Sequence, residues 1–433
     1  MQTRAHPIAT IPLGCIADDF TGATDLASNL VRGGLRVLQM IGVPSQPLDA
    51  GSAPDALVVA LKSRTVAPED AVAQSLQALQ WLRAQGARQI YFKYCSTFDS
   101  TAQGNIGPVT EALMDALNTD FSITTPAFPD NQRTVFKGHL FVGDVLLNAS
   151  GMQNHPLTPM TDSNLVRVMQ AQCTRKVGLL QHRFVAQGAD AIRAEMTRLR
   201  SDGVAIAVVD AISNDDLIRL GPALKGMALV GAGSGVAIGL PQNFALGPDT
   251  QRANALPPAT GRQAVVAGSC SITTHRQVAD FIRRGHAALA IDPLRIAGGA
   301  DVAAEVLAWA EPLLADGPVL VYSTAEPGVV QSVQGQLGVE HAGAMVEDTL
   351  ARIAKGLVGL GVRQLVVAGG ETSGACVQAL GVQQMKIGPQ IDPGVPWCHA
   401  QSQAAGEAGL HLALKSGNFG SDDFFSKAFT LLP

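Results

Sequence analysis

Several things are scarce in this chain of 433 residues, and each scarcity narrows what it can be. Charged residues make up 15% and aromatics 5%, and the formal net charge is -5, so there is no cationic excess to neutralise a nucleic-acid backbone. The six cysteines, Cys15, Cys95, Cys173, Cys270, Cys376 and Cys398, include no C-x-x-C pair. Neither a zinc cluster nor a disulfide framework is signalled, and they read as reduced thiols. No apolar run approaches the roughly 20 residues that span a bilayer, and Met1 to Pro7 holds no signal-peptide core. A cytoplasmic protein with no nucleic-acid or membrane partner is expected. There is no G-x-x-x-x-G-K-[ST] phosphate loop and no G-x-G-x-x-G dinucleotide fingerprint.

Hydrophobic residues, by contrast, supply 47% of the chain, and 45 glycines accompany them. Single cores stop growing at roughly 250 to 300 residues, so more than one domain is expected. Short apolar runs alternate with helix-period segments throughout, the pattern of α/β domains with mostly parallel sheets flanked by helices. Strands are expected at 11–17, 56–61, 89–93, 121–125 and 204–209, with helices at 21–32, 69–85 and 107–118 among them. After an aperiodic, Pro-rich stretch the alternation resumes. Strands are then expected at 263–268, 287–291, 318–323, 364–368 and 410–415, with helices at 273–284, 301–315, 343–360 and 373–380. The division reads as 1–245 for an N-terminal domain, 246–262 for a linker and 263–433 for a C-terminal domain, with the active site expected in the cleft between the two domains.

The first strand runs into Asp18-Asp19-Phe20-Thr21-Gly22-Ala23-Thr24-Asp25. Ligands of open parallel sheets bind outside the carboxyl ends of the strands, which makes Asp18, Asp19 and Asp25 catalytic candidates. One aspartate is enough to cap a helix, so three exceed that need. Other expected strand ends carry Lys62, Arg64, Lys93, Ser96, Asp99 and Arg133, and a Pro-rich loop carries His155. Cations bind a carboxylate and carboxylates accept from hydroxyls, so a small polyhydroxy acid suits this mixture.

In the second half, Gly369-Gly370-Glu371-Thr372 follows a strand and opens a helix, as does Gly268-Ser269-Cys270-Ser271, and Gly417 sits in a glycine loop after the last strand. Such turns let backbone amides approach a phosphate. The loop at Gly231–Gly235 reads as a packing turn.

Together these segments resemble the four-carbon acid sugar kinases over essentially the whole chain. The resemblance is carried by Ala17–Asp25, Lys62–Arg64, Lys93–Ser100, Gly268–Ser271 and Gly369–Gly374. The stretch His155–Asn164 looks like the branch that acts on 3-oxo-tetronates rather than on threonate or erythronate. The resemblance implies ATP-dependent phosphorylation of the C4 hydroxyl, with Mg²⁺ on the ATP phosphates and no protein ligand for it specified. It implies that Ser269 or Ser271, Gly369 to Thr372 and Gly417 hold ATP. It implies that the N-terminal strand ends hold the acid, with Arg64 and Lys93 on its carboxylate and Asp19 or Asp25 as base. A homo-oligomer is left open. The rivals are a nicotinamide-dependent sugar-acid dehydrogenase, which the missing dinucleotide fingerprint opposes, and a non-catalytic sugar-acid sensor.

Overall fold

The computed structural model describes residues 11–48, 54–155, 158–244, 253–323 and 339–432. It divides into two compact units, Met1–Asn254 and Ala255–Pro433. Part of the expected linker, residues 246–252, lies outside the described residues.

Unit 1 contains β1 (Leu13–Ala17), β2 (Val37–Ile41), β3 (Ala56–Ala60), β4 (Gln89–Lys93), β5 (Ser122–Thr125), β6 (Arg133–Phe136), β7 (His139–Val142), β8 (Val145–Leu146), β9 (Val177–Leu180), β10 (Ile206–Val209) and β11 (Leu229–Ala232). The order β2-β3-β1-β4-β11-β5-β10-β9 forms one parallel sheet. Its longer helices are α1 (Phe20–Arg32), α2 (Pro68–Ala84), α3 (Ile106–Ala116), α4 (Ala189–Ser201) and α5 (Asn214–Ala223). Central strands β1, β3 and β4 are buried along their whole length, as expected of strands covered on both faces. Chain direction across the sheet reverses at β1, with β3 on one side and β4 on the other. That switch point is where doubly wound sheets bind ligands.

Unit 2 contains β12 (Arg262–Ala267), β13 (Ala287–Ala290), β14 (Val319–Tyr322), β15 (Val362–Ala368), β16 (Val382–Asp392), β17 (Val395–Ser402) and β18 (Gly406–Lys415). Its longer helices are α6 (Ile272–Arg283), α7 (Val302–Leu313), α8 (Val339–Gly359) and α9 (Gly370–Ala379). Strands run in the order β13-β14-β12-β15-β18-β17-β16, parallel as far as β18 and antiparallel beyond it. Here the order reverses at β12, between β14 and β15. Phe281, Trp397, Phe424 and Phe425 fill the core on one side of this sheet.

The expected strands are all present, but the sequence reading omitted β2, β9 and β11 and the antiparallel pair β16 and β17. In β2 the polar Gln39 is fully buried and breaks the apolar run. In β16 exposed and buried residues alternate irregularly through its bulges. Ahead of the Pro-rich loop that carries His155, where no strand was expected, lies the small antiparallel sheet β6-β7-β8. Buried Asp210 anchors its turn, accepting from the amides of Lys137 at 2.9 Å and Gly138 at 2.8 Å. Among the described residues no helix is long and apolar enough to cross a membrane.

Candidate functional site

At the switch point of unit 1 the β1 end supplies Asp18 and Asp19, and its neighbour β4 ends on Lys93, whose carbonyl accepts the Asp18 amide at 3.1 Å. Asp18 is 4% exposed. The Arg64 guanidinium grips it with two parallel bonds, Nε to Oδ2 and Nη2 to Oδ1, both at 2.8 Å. The Asp18 carbonyl in turn accepts from the amides of Ser63 at 3.0 Å and Arg64 at 3.2 Å. Buried Asn105 donates to the carbonyls of Ser63, Arg64 and Val66 and fixes the same loop from its other side. Asp18 and Arg64 therefore close on each other.

Asp19 is the N-cap of α1. Its Oδ1 accepts the Gly22 amide at 2.7 Å and lies 2.9 Å from Arg64 Nη2, while Oδ2 accepts, among the described residues, only Thr21 Oγ1 at 3.0 Å. One Oδ2 lone pair is left over, and the side chain is 20% exposed. Burial pushes this carboxyl up, but Arg64 and Lys93 together with the Thr21 and Gly22 hydrogen bonds outweigh it, and the group is held below the usual carboxylate range. A Cβ on Gly22 would overlap both Asp19 Oδ1 and the Lys93 ammonium, so only glycine leaves room for that pair.

Asp25 lies on the inward face of α1, 3% exposed. Ser234 Oγ donates to its Oδ2, whereas Oδ1 is buried with no hydrogen-bond partner among the described residues. Burial raises this carboxyl to about 7 against the pull of Lys93, the Ser234 bond and Arg133. Asn29, one turn further along the helix, donates to the Ser234 carbonyl at 3.0 Å and holds that loop in place.

Arg133, at the start of β6, is drawn down from its ordinary value by burial, and the groups facing it are Cys95, Asp99 and Asp25. Among the described residues its buried Nε has no hydrogen-bond partner, and neither has the buried Oδ1 of Asp99. Burial followed by Asp99 lifts the Cys95 thiol to about 11. Ser96 is half-buried in the same loop after β4. Lys62 is exposed, whereas its neighbour Ser63 is buried. His155 Nδ1 accepts from the amide and hydroxyl of Thr158 at 3.1 and 2.9 Å, so its described contacts stay within its own loop. The cluster thus gathers Asp18, Asp19, Asp25, Arg64, Lys93, Asp99 and Arg133.

In unit 2 the adjacent strands β12, β15 and β18 end side by side. The Gly268 amide donates to the Ala368 carbonyl at 2.9 Å, and the Gly369 amide to the Lys415 carbonyl at 2.8 Å. Gly369 has φ +123, where other residues are strained. A Cβ on Gly369 would come within 2.9 Å of Thr372 Oγ1 and 3.2 Å of the Ser269 amide, while one on Gly370 would meet open space. Ser271 caps α6, accepting the Thr274 amide at 3.1 Å, and donates to the Gly417 carbonyl at 2.6 Å. A Cβ on Gly417 would overlap Ser269 Oγ. Glu371 is exposed in the first turn of α9. Ser269, Ser271, Gly369, Gly370, Glu371, Thr372 and Gly417 thus belong to one crest.

Sequence reasoning missed Ser234, Asn29, Asn105 and Lys415. The Gly231–Gly235 turn does pack closely, with a Cβ on Gly233 reaching 3.0 Å from the Pro126 carbonyl, but it also presents Ser234 to Asp25.

Comparison with known proteins adds the family. Residues 13–240 match a sugar-binding N-terminal domain and residues 264–425 a nucleotide-binding C-terminal domain. A Cupriavidus necator protein named 3-oxo-tetronate kinase is 57% identical over 426 residues, 97% of each chain. A Pseudomonas savastanoi protein of the same name is 55% identical over 422 residues, again 97% of each. A solved Salmonella typhimurium LT2 structure, described as a candidate tRNA synthase, superposes with a TM-score of 0.86 at 42% identity, covering 98% of this chain and 100% of its own. With both domain types matched in this order and relatives similar from end to end, the chain belongs to the four-carbon acid sugar kinase family.

Proposed function

We infer that this protein is an ATP-dependent 3-oxo-tetronate kinase that phosphorylates the C4 hydroxyl of a four-carbon 3-oxo acid. The observation that carries the reading is similarity of 55% and 57% over nearly full length to two proteins of that name. The geometry supports it. Phosphoryl transfer asks a protein mainly for positioning and charge neutralisation, and the β1 and β4 ends supply a buried cluster of both signs.

Asp19 is the carboxylate that accepts the C4 hydroxyl, because it alone of the three combines exposure with a spare lone pair. Its lowered proton affinity does not disqualify it, since a loose transition state asks little basicity of the acceptor. Asp18 serves to hold Arg64, whose fork is already engaged. Lys93 and Arg133 take the substrate carboxylate, Arg133 bringing an Nε without a partner among the described residues. Asp25 balances the charge of Lys93 and Arg133.

The glycine crest of unit 2 takes the ATP phosphates on backbone amides. Among the described residues no three His, Cys, Asp or Glu side chains gather as a metal site. A Mg²⁺ arriving with ATP would find Glu371, an acid in the first turn of α9, as the side chain of this crest suited to hold it. Bound there, the ion would neutralise phosphate charge. A reaction that draws on ATP belongs in the cytoplasm. Threonate or erythronate phosphorylation is the neighbouring reading within the family.

The deciding experiment supplies ATP and Mg²⁺ with threonate, erythronate and their 3-oxo derivatives, follows ADP release, and locates the new phosphate by NMR. Turnover confined to a 3-oxo acid with phosphate on C4 is the expected result. Preference for threonate or erythronate would move the protein to the neighbouring activity, and no ADP release with any of them would end the kinase reading.

A further inference from the structure

The last residue of β18, Lys415, is fully buried, yet its ammonium is surrounded by oxygen. Its Nζ donates to the carbonyls of Ser416 at 3.0 Å, Gly417 at 3.0 Å and Phe419 at 3.1 Å, with Thr274 Oγ1 at 3.3 Å. An ammonium has three N–H groups, and three backbone carbonyls take them. In a trans peptide the C=O of one residue and the N–H of the next point in opposite directions, and among the described residues no peptide is cis. Carbonyls drawn toward Lys415 therefore turn the N–H groups of Gly417, Asn418 and Gly420 away from it. None of these three amides donates a backbone hydrogen bond to another described residue.

The Gly417–Asn418 peptide is held hardest. Its carbonyl accepts from Lys415 Nζ, from Ser271 Oγ at 2.6 Å and from Thr274 Oγ1 at 3.0 Å. Hydrogen bonds on the oxygen polarise a peptide and strengthen its N–H as a donor. Successive amides turned to one side make an anion-binding nest.

We propose that Lys415 is the positioning residue of a phosphate-binding nest, its ammonium gathering the carbonyls of Ser416, Gly417 and Phe419 so that the amides of Gly417, Asn418 and Gly420 face the ATP phosphates. This rests on the reading of unit 2 as the ATP-binding domain. Lys415 itself touches no phosphate; it works through the loop, as a built-in monovalent cation. Burial lowers its ammonium to about 7, and an arriving polyphosphate would favour the charged form.

The test uses full-length Lys415→Met, Lys415→Ala and Thr274→Val. Lys415→Met should raise KM for ATP by about tenfold, equivalent to about 1.4 kcal/mol, with KM for the sugar acid nearly unchanged. Lys415→Ala leaves an oxygen-lined vacancy, so potassium or methylammonium should restore ATP affinity while tetramethylammonium at equal ionic strength should not. Thr274→Val should shift KM for ATP in the same direction by less, and keeps the test open should the lysine variants fold poorly. An unchanged KM for ATP in all three, equal rises in both KM values, or no cation-specific rescue would overturn the proposal. Titration of the wild-type protein with ATP separates the two readings. Binding that the variants leave intact removes only the role of Lys415, whereas no binding by the wild type removes both.

Discussion

Ser234 donates a hydrogen bond to Asp25 from 209 residues away in sequence, and the other oxygen of that carboxylate has no partner among the described residues. The pair joins the first helix of unit 1 to the turn after β11, and it holds an acid with a raised proton affinity within reach of the Lys93 charge. Asp19 is pulled the opposite way. Two aspartates six residues apart, one capping α1 and one inside it, thus hold protons very differently, and this difference separates their roles.

Asp19→Asn removes the charge that would accept the substrate hydroxyl while keeping an oxygen for the helix cap. Loss of such an acceptor costs about 10² to 10⁴ in rate. Steady-state kinetics should therefore show kcat falling by that order with KM for the sugar acid changed little. A variant with near wild-type kcat would show that Asp19 is only a cap.

Asp25 should appear in the pH dependence of stability. Its carboxyl stands at about 7 in the folded protein against 3.8 for the free group, so between those values the folded state binds the extra proton. Stability from this group is full below about pH 4 and is lost as pH rises through about 7. Lys415 acts in the next window with the opposite sign. Its folded value of about 7 lies below 10.5, so the unfolded state binds more protons there and stability rises with pH above 7. Denaturant midpoints measured against pH should fall from pH 4 to 7 in the wild type and flatten in that range for Asp25→Asn. Superimposable wild-type and variant curves would contradict the assignment.

Gly22→Ala tests the crowding around Asp19 and Lys93 separately from stability. Alanine gains up to about 1 kcal/mol over glycine within a helix and less in the first turn, where Gly22 lies, so the fold should not suffer for helical reasons. Its methyl, however, would displace the Lys93 ammonium or the Asp19 carboxylate. Activity should drop by about an order of magnitude, since small misplacements at a reacting centre are costly, while Tm holds or rises. Full activity would mean that this spacing is not used.

The crests were legible because each buried strand ends abruptly: Ala17 gives way to Asp18, Ala368 to Gly369, and β4 finishes on Lys93 itself. A period-2 or wholly apolar run followed by charge or glycine needs no tertiary information to be read. What stayed hidden depended on distant partners. Nothing near Ser234 in sequence points to Asp25, and a lysine at a strand end gives no sign that it will be fully buried among carbonyls. Equally out of reach was the fork of Arg64 closing on Asp18, a bidentate contact that spans 46 residues.

Cys270 offers a direct probe of the nucleotide crest. It is the exposed thiol among the described cysteines and stands between Ser269 and Ser271, at the entrance to α6. Cys15, Cys376 and Cys398 are buried, while the half-buried Cys95 and Cys173 are raised by burial to about 11 and about 12, which leaves little thiolate near neutral pH. A thiol-directed alkylating reagent should therefore modify Cys270 first, as peptide mapping by mass spectrometry can establish. ATP with Mg²⁺ should slow that modification several-fold if its phosphates lie over the Ser269 and Gly369 amides, and the sugar acid alone should not. Protection by the acid but not by ATP would assign this crest to the wrong ligand and reverse the division of labour between the two units.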